Sequence, residues 1–344
     1  MAHGSVRLAV AAALLAAFMA FLPLLAAEDD KISSLIEKLD SGNSFKVRMQ
    51  AAILLGRIGD RKAVNPLLEC LKDSDYAIRG SAAIALGNIG DPSAGPHLIA
   101  LLKDNEELVR REAGNALVKL AGHPEVLQAI LSGFQGSDFK IRIEVINVLG
   151  NIKDEEAMTA LANALGEEVG KLGDSAAQVV VGMGKEKGAR VLLTAVKGTN
   201  GAARLKAIEI MGQLKDAAFV DPLADVLTAD VSGDEAKAAR ESLRKMRQFI
   251  KSDKLAGPAG KGEKAARDRA IQLLGISGDE TAIRTLMDAL SDDDVYFRGR
   301  AAQALAVAGD KRAIPKLERL LKDKSNARIQ GILKNSLKIL ELSE

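Results

Sequence analysis

The sequence predicts an all-α solenoid of stacked antiparallel helix pairs, and three observations carry that prediction. The first is a period of about 31 residues: VRMQAAILLGRIGDRKAVNPLLECLKD, residues 47–73, aligns without a gap on IRGSAAIALGNIGDPSAGPHLIALLKD, residues 78–104. The second lies within each copy, where apolar residues recur at helical spacing on both sides of a tight turn. Ala51, Ala52, Leu55 and Ile58 precede Gly59-Asp60, and Ala63, Val64, Leu67, Leu68 and Leu71 follow it. The third is composition: Trp is absent, aromatics are 3% and apolar residues 47%, so Ala, Leu, Ile and Val must build the core. Sandwiches and barrels draw instead on aromatic and β-branched side chains. One helix pair cannot bury its apolar stripe alone, so successive pairs must stack around a continuous core.

Taken in chain order, residues 1–27 read as an export signal. Arg7 precedes Leu8 to Ala27, an uncharged run of twenty residues that ends before Glu28, Asp29 and Asp30. Pro23 breaks the run, and Ala26 or Ala27 offers a small residue for cleavage. Leu24 and Leu25 are large for the site's other small position, and the run is long enough to span a bilayer, so retention of residues 8–27 as an anchor is the alternative. Both readings place the chain outside the cytoplasm, in the periplasm or outside the cell. Cys70 is the sole cysteine, which excludes an internal disulfide, and its apolar neighbours predict a buried, inert thiol. A chain of 344 residues can bury enough surface without such a staple. A net charge of +2, with charged residues at 27%, excludes a charged disordered tail and a globally basic nucleic-acid binder.

Residues 28–344 read as one quasi-linear domain. Ile32 to Leu39 predicts a lone second helix that caps the stack. The frame then returns at Arg48, Arg79, Arg110, Arg142, Arg204, Arg267, Arg298 and Arg328, at spacings of 31, 31, 32, 62, 63, 31 and 30. Each double-length gap holds a degenerate copy, one beginning near Asp174 and one near Glu235. Gly59, Gly90, Gly278 and Gly309 supply helix stops, and Asp60, Asp91, Asp154, Asp216, Asp279 and Asp310 cap the helices that follow. Pro66, Pro96, Pro222 and Pro315 fall in the first turn of second helices, where a missing N–H does least harm. In the copy near Glu235 the second helix gives way to LAGPAGKGEKAA, residues 255–266, whose Gly and Pro density predicts a surface loop over 251–265. That loop is either a connection covering a weak joint between a front and a rear subdomain, or a hinge or partner-binding loop. Ala327 to Leu342 predicts a lone first helix closing the other end.

The pattern VR-x-x-AA-x-x-LG-x-IGD-x-x-AV-x-x-LL-x-x-L-x-D resembles the short HEAT repeat of the phycobilisome-lyase type and covers nearly all of residues 31–342. The resemblance implies a right-handed superhelix whose second helices line a concave, protein-binding face. It also brings two enzymatic relatives, bilin lyase subunits and deoxyhypusine hydroxylase. The hydroxylase carries repeated His-Glu pairs that hold two iron ions, whereas His3, His97 and His123 here precede Gly4, Leu98 and Pro124. Arg111-Glu112 is the nearest counterpart and lacks the imidazole. No metal and no cofactor is therefore expected. A bilin lyase acts on a cytoplasmic pigment protein, which an exported chain would not meet, so a lyase-like enzyme subunit is the weakest of the alternatives.

The arginine ladder reads as a structural tie, each Arg paired with an acid such as Asp60 or Asp73 that recurs with the same period. A local basic excess marks the rear of the chain. Residues 237–264 hold nine Lys or Arg against three acids, and residues 311–338 hold nine against two. Lys251, Lys254, Lys261 and Lys264 make it a candidate face for an anionic polymer or membrane surface. Nucleic acid is disfavoured because aromatic residues are nearly absent among the charges, with Phe249 alone in the two stretches. No Ser, Cys or His constellation points to catalysis. The leading expectation is thus an exported, non-enzymatic scaffold that presents second-helix side chains to a protein partner, with Asn65, Glu69, His97 and Lys316 at outward positions.

Overall fold

The computed structural model describes residues 29–136, 138–167, 171–228 and 233–342. Residues 1–27, read above as signal or anchor, lie outside them. By packing, the chain divides into two compact units, residues 1–161 and 162–344. In unit 1 the first helices of the copies are α2 (Phe45–Ile58), α4 (Tyr76–Ile89), α6 (Glu107–Leu120) and α8 (Phe139–Leu149). The second helices are α3 (Val64–Cys70), α5 (Gly95–Leu101), α7 (Pro124–Gln135) and α9 (Glu155–Ala164), which runs to the unit boundary. Residues 29–37 form α1, the lone second helix expected at the front. Its Ile32 and Leu35 are buried.

Unit 2 continues with first helices α10 (Leu172–Gly182), α12 (Gly201–Leu214), α14 (Gly233–Lys245), α16 (Lys264–Ser277), α18 (Val295–Ala308) and α20 (Gln330–Leu342). Between them lie the second helices α11 (Lys185–Lys197), α13 (Val220–Thr228), α15 (Ser252–Gly260), α17 (Glu280–Ala289) and α19 (Ile314–Lys322). No strand occurs among the described residues. The all-α solenoid of helix pairs is what the period demanded.

The repeat motif is a set of local instructions. Gly59 stands at φ 78° and its amide reaches back to Leu55 O, closing α2 in the left-handed conformation that a Cβ disfavours. Asp60 then accepts from the amide of Lys62 at 2.7 Å and starts the next turn. The other predicted aspartates cap in the same way, Asp91 to Ser93, Asp154 to Glu156, Asp216 to Ala218, Asp279 to Ala282 and Asp310 to Arg312. In the copy of Arg204 the glycine is replaced by Lys215, which holds φ 50°. The other motif glycine has a packing role: a Cβ on Gly56 would sit 2.5 Å from Ala85 Cα, so α2 and α4 touch backbone to backbone there. Behind these contacts Leu55, Leu86 and Leu117 in unit 1, and Leu274 and Leu305 in unit 2, are wholly buried.

The segment 251–265 departs from its expected loop. Ser252–Gly260 is a helix with Pro258 inside it, so the copy keeps a short second helix. Tertiary contacts outweigh the poor propensity. Ala259 is buried and Leu255 packs on the core that α16, α17 and α18 share. The buried Ser252 hydroxyl donates to Asp279 Oδ2 at 2.7 Å, which pins the helix start to the cap of α17. Pro258 lies near the C-terminal end, where its missing N–H removes only one ladder bond.

Candidate functional site

Of the four outward residues, three stand in unit 1 on successive second helices: Asn65 and Glu69 on α3 and His97 on α5, all exposed. Glu69 takes a hydrogen bond from Lys72 Nζ at 3.0 Å. Lys316 is different. It is half-buried on α19 and its ammonium donates to Met287 O at 2.7 Å, so it closes the last turn of α17 instead of pointing free to solvent. Cys70 is buried and burial pushes its thiol pKa up, so it stays protonated and unreactive.

The arginine ladder is built from half-buried charge. Arg79 grips both carboxylate oxygens of Asp104, at 2.7 and 2.8 Å, and donates to Asp73 O at 2.8 Å and Ser74 O at 3.0 Å. One guanidinium thus ties the turn before its own helix to the turn before the next. Arg48 with Asp73 and Arg267 with Asp292 repeat the arrangement, while Arg110 and Arg204 use Glu144 and Glu235, each at 2.9 Å. Asp60, the other acid expected on the ladder, serves as a cap.

The four basic residues named at 251–265 do not share one loop. Lys251 and Lys254 flank the start of α15, Lys261 follows its end, and all three are exposed without an ion pair among the described residues. Lys264 opens α16, with its ammonium 4.3 Å above the Tyr296 ring.

Sequence reasoning missed a groove of about 320 Å³ on the first helices α14, α16, α18 and α20. It is lined by Arg240, Gln272, Gln303 and Asn335, which follow one another at 32, 31 and 32 residues, one per repeat. Arg300 also lines it, but its guanidinium is taken up by the buried Asp268 and by Gln303 Oε1 at 2.9 Å. Arg240 is half-buried and bonds to no acceptor among the described residues. Burial, then the neighbouring charges of Arg244 and Arg300, lower its pKa from the usual arginine value, and it remains a cation. The legible trace was a polar residue recurring at the repeat period, hidden because each is unremarkable alone. Among the described residues no group of three His, Cys, Asp or Glu is placed to share a metal ion, and no helix is long and apolar enough to cross a membrane.

The sequence pattern of HEAT repeats matches residues 32–118, 95–180 and 259–338, which is most of the chain. The chain is a HEAT-repeat protein. The unmatched stretch of this HEAT-repeat chain, 181–258, holds the copies whose turn glycine is Lys215 and whose second helix is the Pro-containing α15. No curated protein matches it. Among solved structures it is similar to an engineered protein, at 19% identity and TM-score 0.31 over 91% of this chain and 99% of that one. It is also similar to human deoxyhypusine hydroxylase in complex with glycerol, at 19% identity and TM-score 0.33 over 83% and 99% of the two chains. The complex of CpcE and CpcF of phycocyanin lyase from Nostoc sp. gives 20% identity and TM-score 0.34 over 72% and 93%. These likenesses carry no activity across.

Proposed function

We propose that this HEAT-repeat protein is an exported, non-enzymatic scaffold that binds a protein partner through the second-helix face of its repeats. The observation that carries the reading is the run of exposed polar residues on consecutive second helices of unit 1, Asn65 and Glu69 on α3 and His97 on α5, set on a fully buried core. A face that is rigid beneath and free to hydrogen-bond above suits recognition of another folded surface. Its placement outside the cytoplasm rests on the charge and length pattern of residues 1–27.

The test is a pull-down of the tagged chain from the envelope fraction of its native host, washed at low and high salt, beside the variant Asn65→Lys, Glu69→Lys, His97→Glu. A discrete protein that survives high salt and is lost with the variant supports the scaffold; unchanged capture by the variant rejects this face. A second reading is favoured by the unpaired, exposed Lys251, Lys254 and Lys261: contact with an anionic polymer or membrane surface. It expects retention that collapses at high salt and weakens when these lysines and Lys264 become Glu.

A further inference from the structure

The groove on α14, α16, α18 and α20 stands apart from the second-helix face, and its chemistry is specific. It offers one guanidinium with no internal acceptor, Arg240, beside neutral amides that keep hydrogen-bonding capacity in hand. Gln303 spends its carbonyl on Arg300 and leaves its amide protons free, while Gln272 donates to Leu227 O at 3.3 Å and to Asp268 Oδ2 at 3.4 Å and keeps only its carbonyl, an acceptor. Asn335 is exposed and bonds to nothing among the described residues. Ile276, Val307 and Ile339 add an apolar strip along the same wall.

A charged, half-buried donor fork that is left without an acceptor is an unmet demand for an anion, and a planar carboxylate matches the fork with two parallel bonds. Among the guanidinium groups that line the groove, only that of Arg240 has no acceptor among the described residues, and one such fork matches one carboxylate. The volume is at the low end for ligand pockets, enough for an acid of a few carbons or one acidic side chain. We propose that this groove is a carboxylate-binding site: Arg240 anchors the acid group, the amide protons of Gln303 and Asn335 serve acceptors beside it, the Gln272 carbonyl accepts from an N–H where the acid belongs to a peptide, and Ile276, Val307 and Ile339 cover a short apolar body. The carboxylate comes from a free organic acid or from a glutamate of a bound peptide.

Titration calorimetry on the full chain decides it, with glutarate, the blocked tripeptide N-acetyl-Leu-Glu-Leu-amide and inorganic phosphate as probes. Glutarate or the tripeptide binds at millimolar or tighter concentration, and Arg240→Met weakens that binding by about tenfold or more. Arg57→Met, which removes an exposed charge in unit 1, leaves it unchanged. Whichever of the two acids binds tighter identifies the source. No heat with either acid, equal or tighter binding of phosphate, or undiminished binding by Arg240→Met overturns the proposal. Arg240→Met keeps an unbranched apolar stem and removes no ion pair among the described residues, so it is expected to melt near the parent's temperature, which a thermal scan checks. Should it fail to fold, Gln272→Glu takes its place: a carboxylate supplied from within the groove must compete with both acids, and unaltered affinity in that variant rejects the site.

Discussion

Each unit carries a groove of similar size on its first helices, about 340 Å³ in unit 1 and 320 Å³ in unit 2, yet the two differ in charge balance. In unit 1 the cations are met from inside. Arg110 pairs with Glu144 at 2.9 Å and Arg111 with Glu112 at 3.2 Å, and Asn115 and Asn147 each donate to one of those glutamates at 3.3 Å. Those two acids stand two residues after the ladder arginines Arg110 and Arg142; the corresponding positions after Arg204, Arg267 and Arg298 are Lys206, Arg269 and Arg300. In unit 2 these extra cations take up acids, Asp174 on Lys206, Asp225 on Arg269 and Asp268 on Arg300, and Arg240 has no acid partner among the described residues. One repeat architecture thus yields a self-neutralised face and an unsatisfied one, because the fold constrains the buried stripe and leaves the outer positions of the first helices open to change.

The comparison holds only if the cores are alike, and the largest expected effect tests that. Leu86→Ala in unit 1 and Leu305→Ala in unit 2, both wholly buried, are each expected to cost about 2–5 kcal/mol by leaving a cavity. Chemical denaturation of the two variants checks it; a loss under about 1 kcal/mol at either site would mean that the stripe is misassigned there.

The next effect compares a charged rung of the ladder in unit 1 with the neutral rung at Arg298 in unit 2, whose other rungs Arg204–Glu235 and Arg267–Asp292 are charged. Arg79→Leu strands the Asp104 carboxylate, 9% exposed, and is expected to cost about 2–3 kcal/mol. Arg298→Leu strands no carboxylate, only the neutral Asn326 amide, now bonded at 2.8 Å, and the Asp292 and Asp293 carbonyls, and is expected to cost about 1–2 kcal/mol. Acid separates them further. Burial alone would raise the Asp104 pKa, but the hydrogen bonds from Arg79 and the Glu106 amide outweigh it and the net shift is downward. The unfolded chain therefore takes up the proton first: the Arg79–Asp104 rung stabilises fully above the unfolded value of about 3.9 and loses that contribution as pH falls through the folded one. The cost of Arg79→Leu, measured by urea unfolding, should shrink below pH 4, while that of Arg298→Leu, whose acceptor does not titrate, should change less.

A charge exchange between the grooves is the sharpest test of the contrast. Glu144→Gln frees Arg110 from its carboxylate and should give unit 1 a measurable affinity for glutarate, whereas Gln272→Glu should lower the affinity of unit 2 by about tenfold, or 1.4 kcal/mol. Calorimetry on the two single variants reads both arms. The smallest effect concerns the degenerate turn, where Lys215→Gly relieves a side chain held at φ 50° and should add about 1 kcal/mol of stability in a thermal melt.

What was legible in the sequence was whatever the period repeats. The helix pairs, the left-handed glycine stops, the aspartate caps, the buried Leu86 and the pairing of Arg79 all follow from residue types at fixed spacing, because each serves a contact made within a copy or with its neighbour. Two features were not. The Gly- and Pro-rich stretch reads locally as a loop, and only the burial of Ala259 and the anchoring of Ser252 by Asp279 make it α15. Lys316 reads as an outward cation until the carbonyl of Met287 is placed within its reach. The groove belongs with these. Arg240, Gln272, Gln303 and Asn335 are ordinary surface residues along the chain, and stacking four first helices sets them along one wall. Local propensity and period fix which residues are buried; which polar groups are left without a partner depends on distances between copies, and only the packed helices set those.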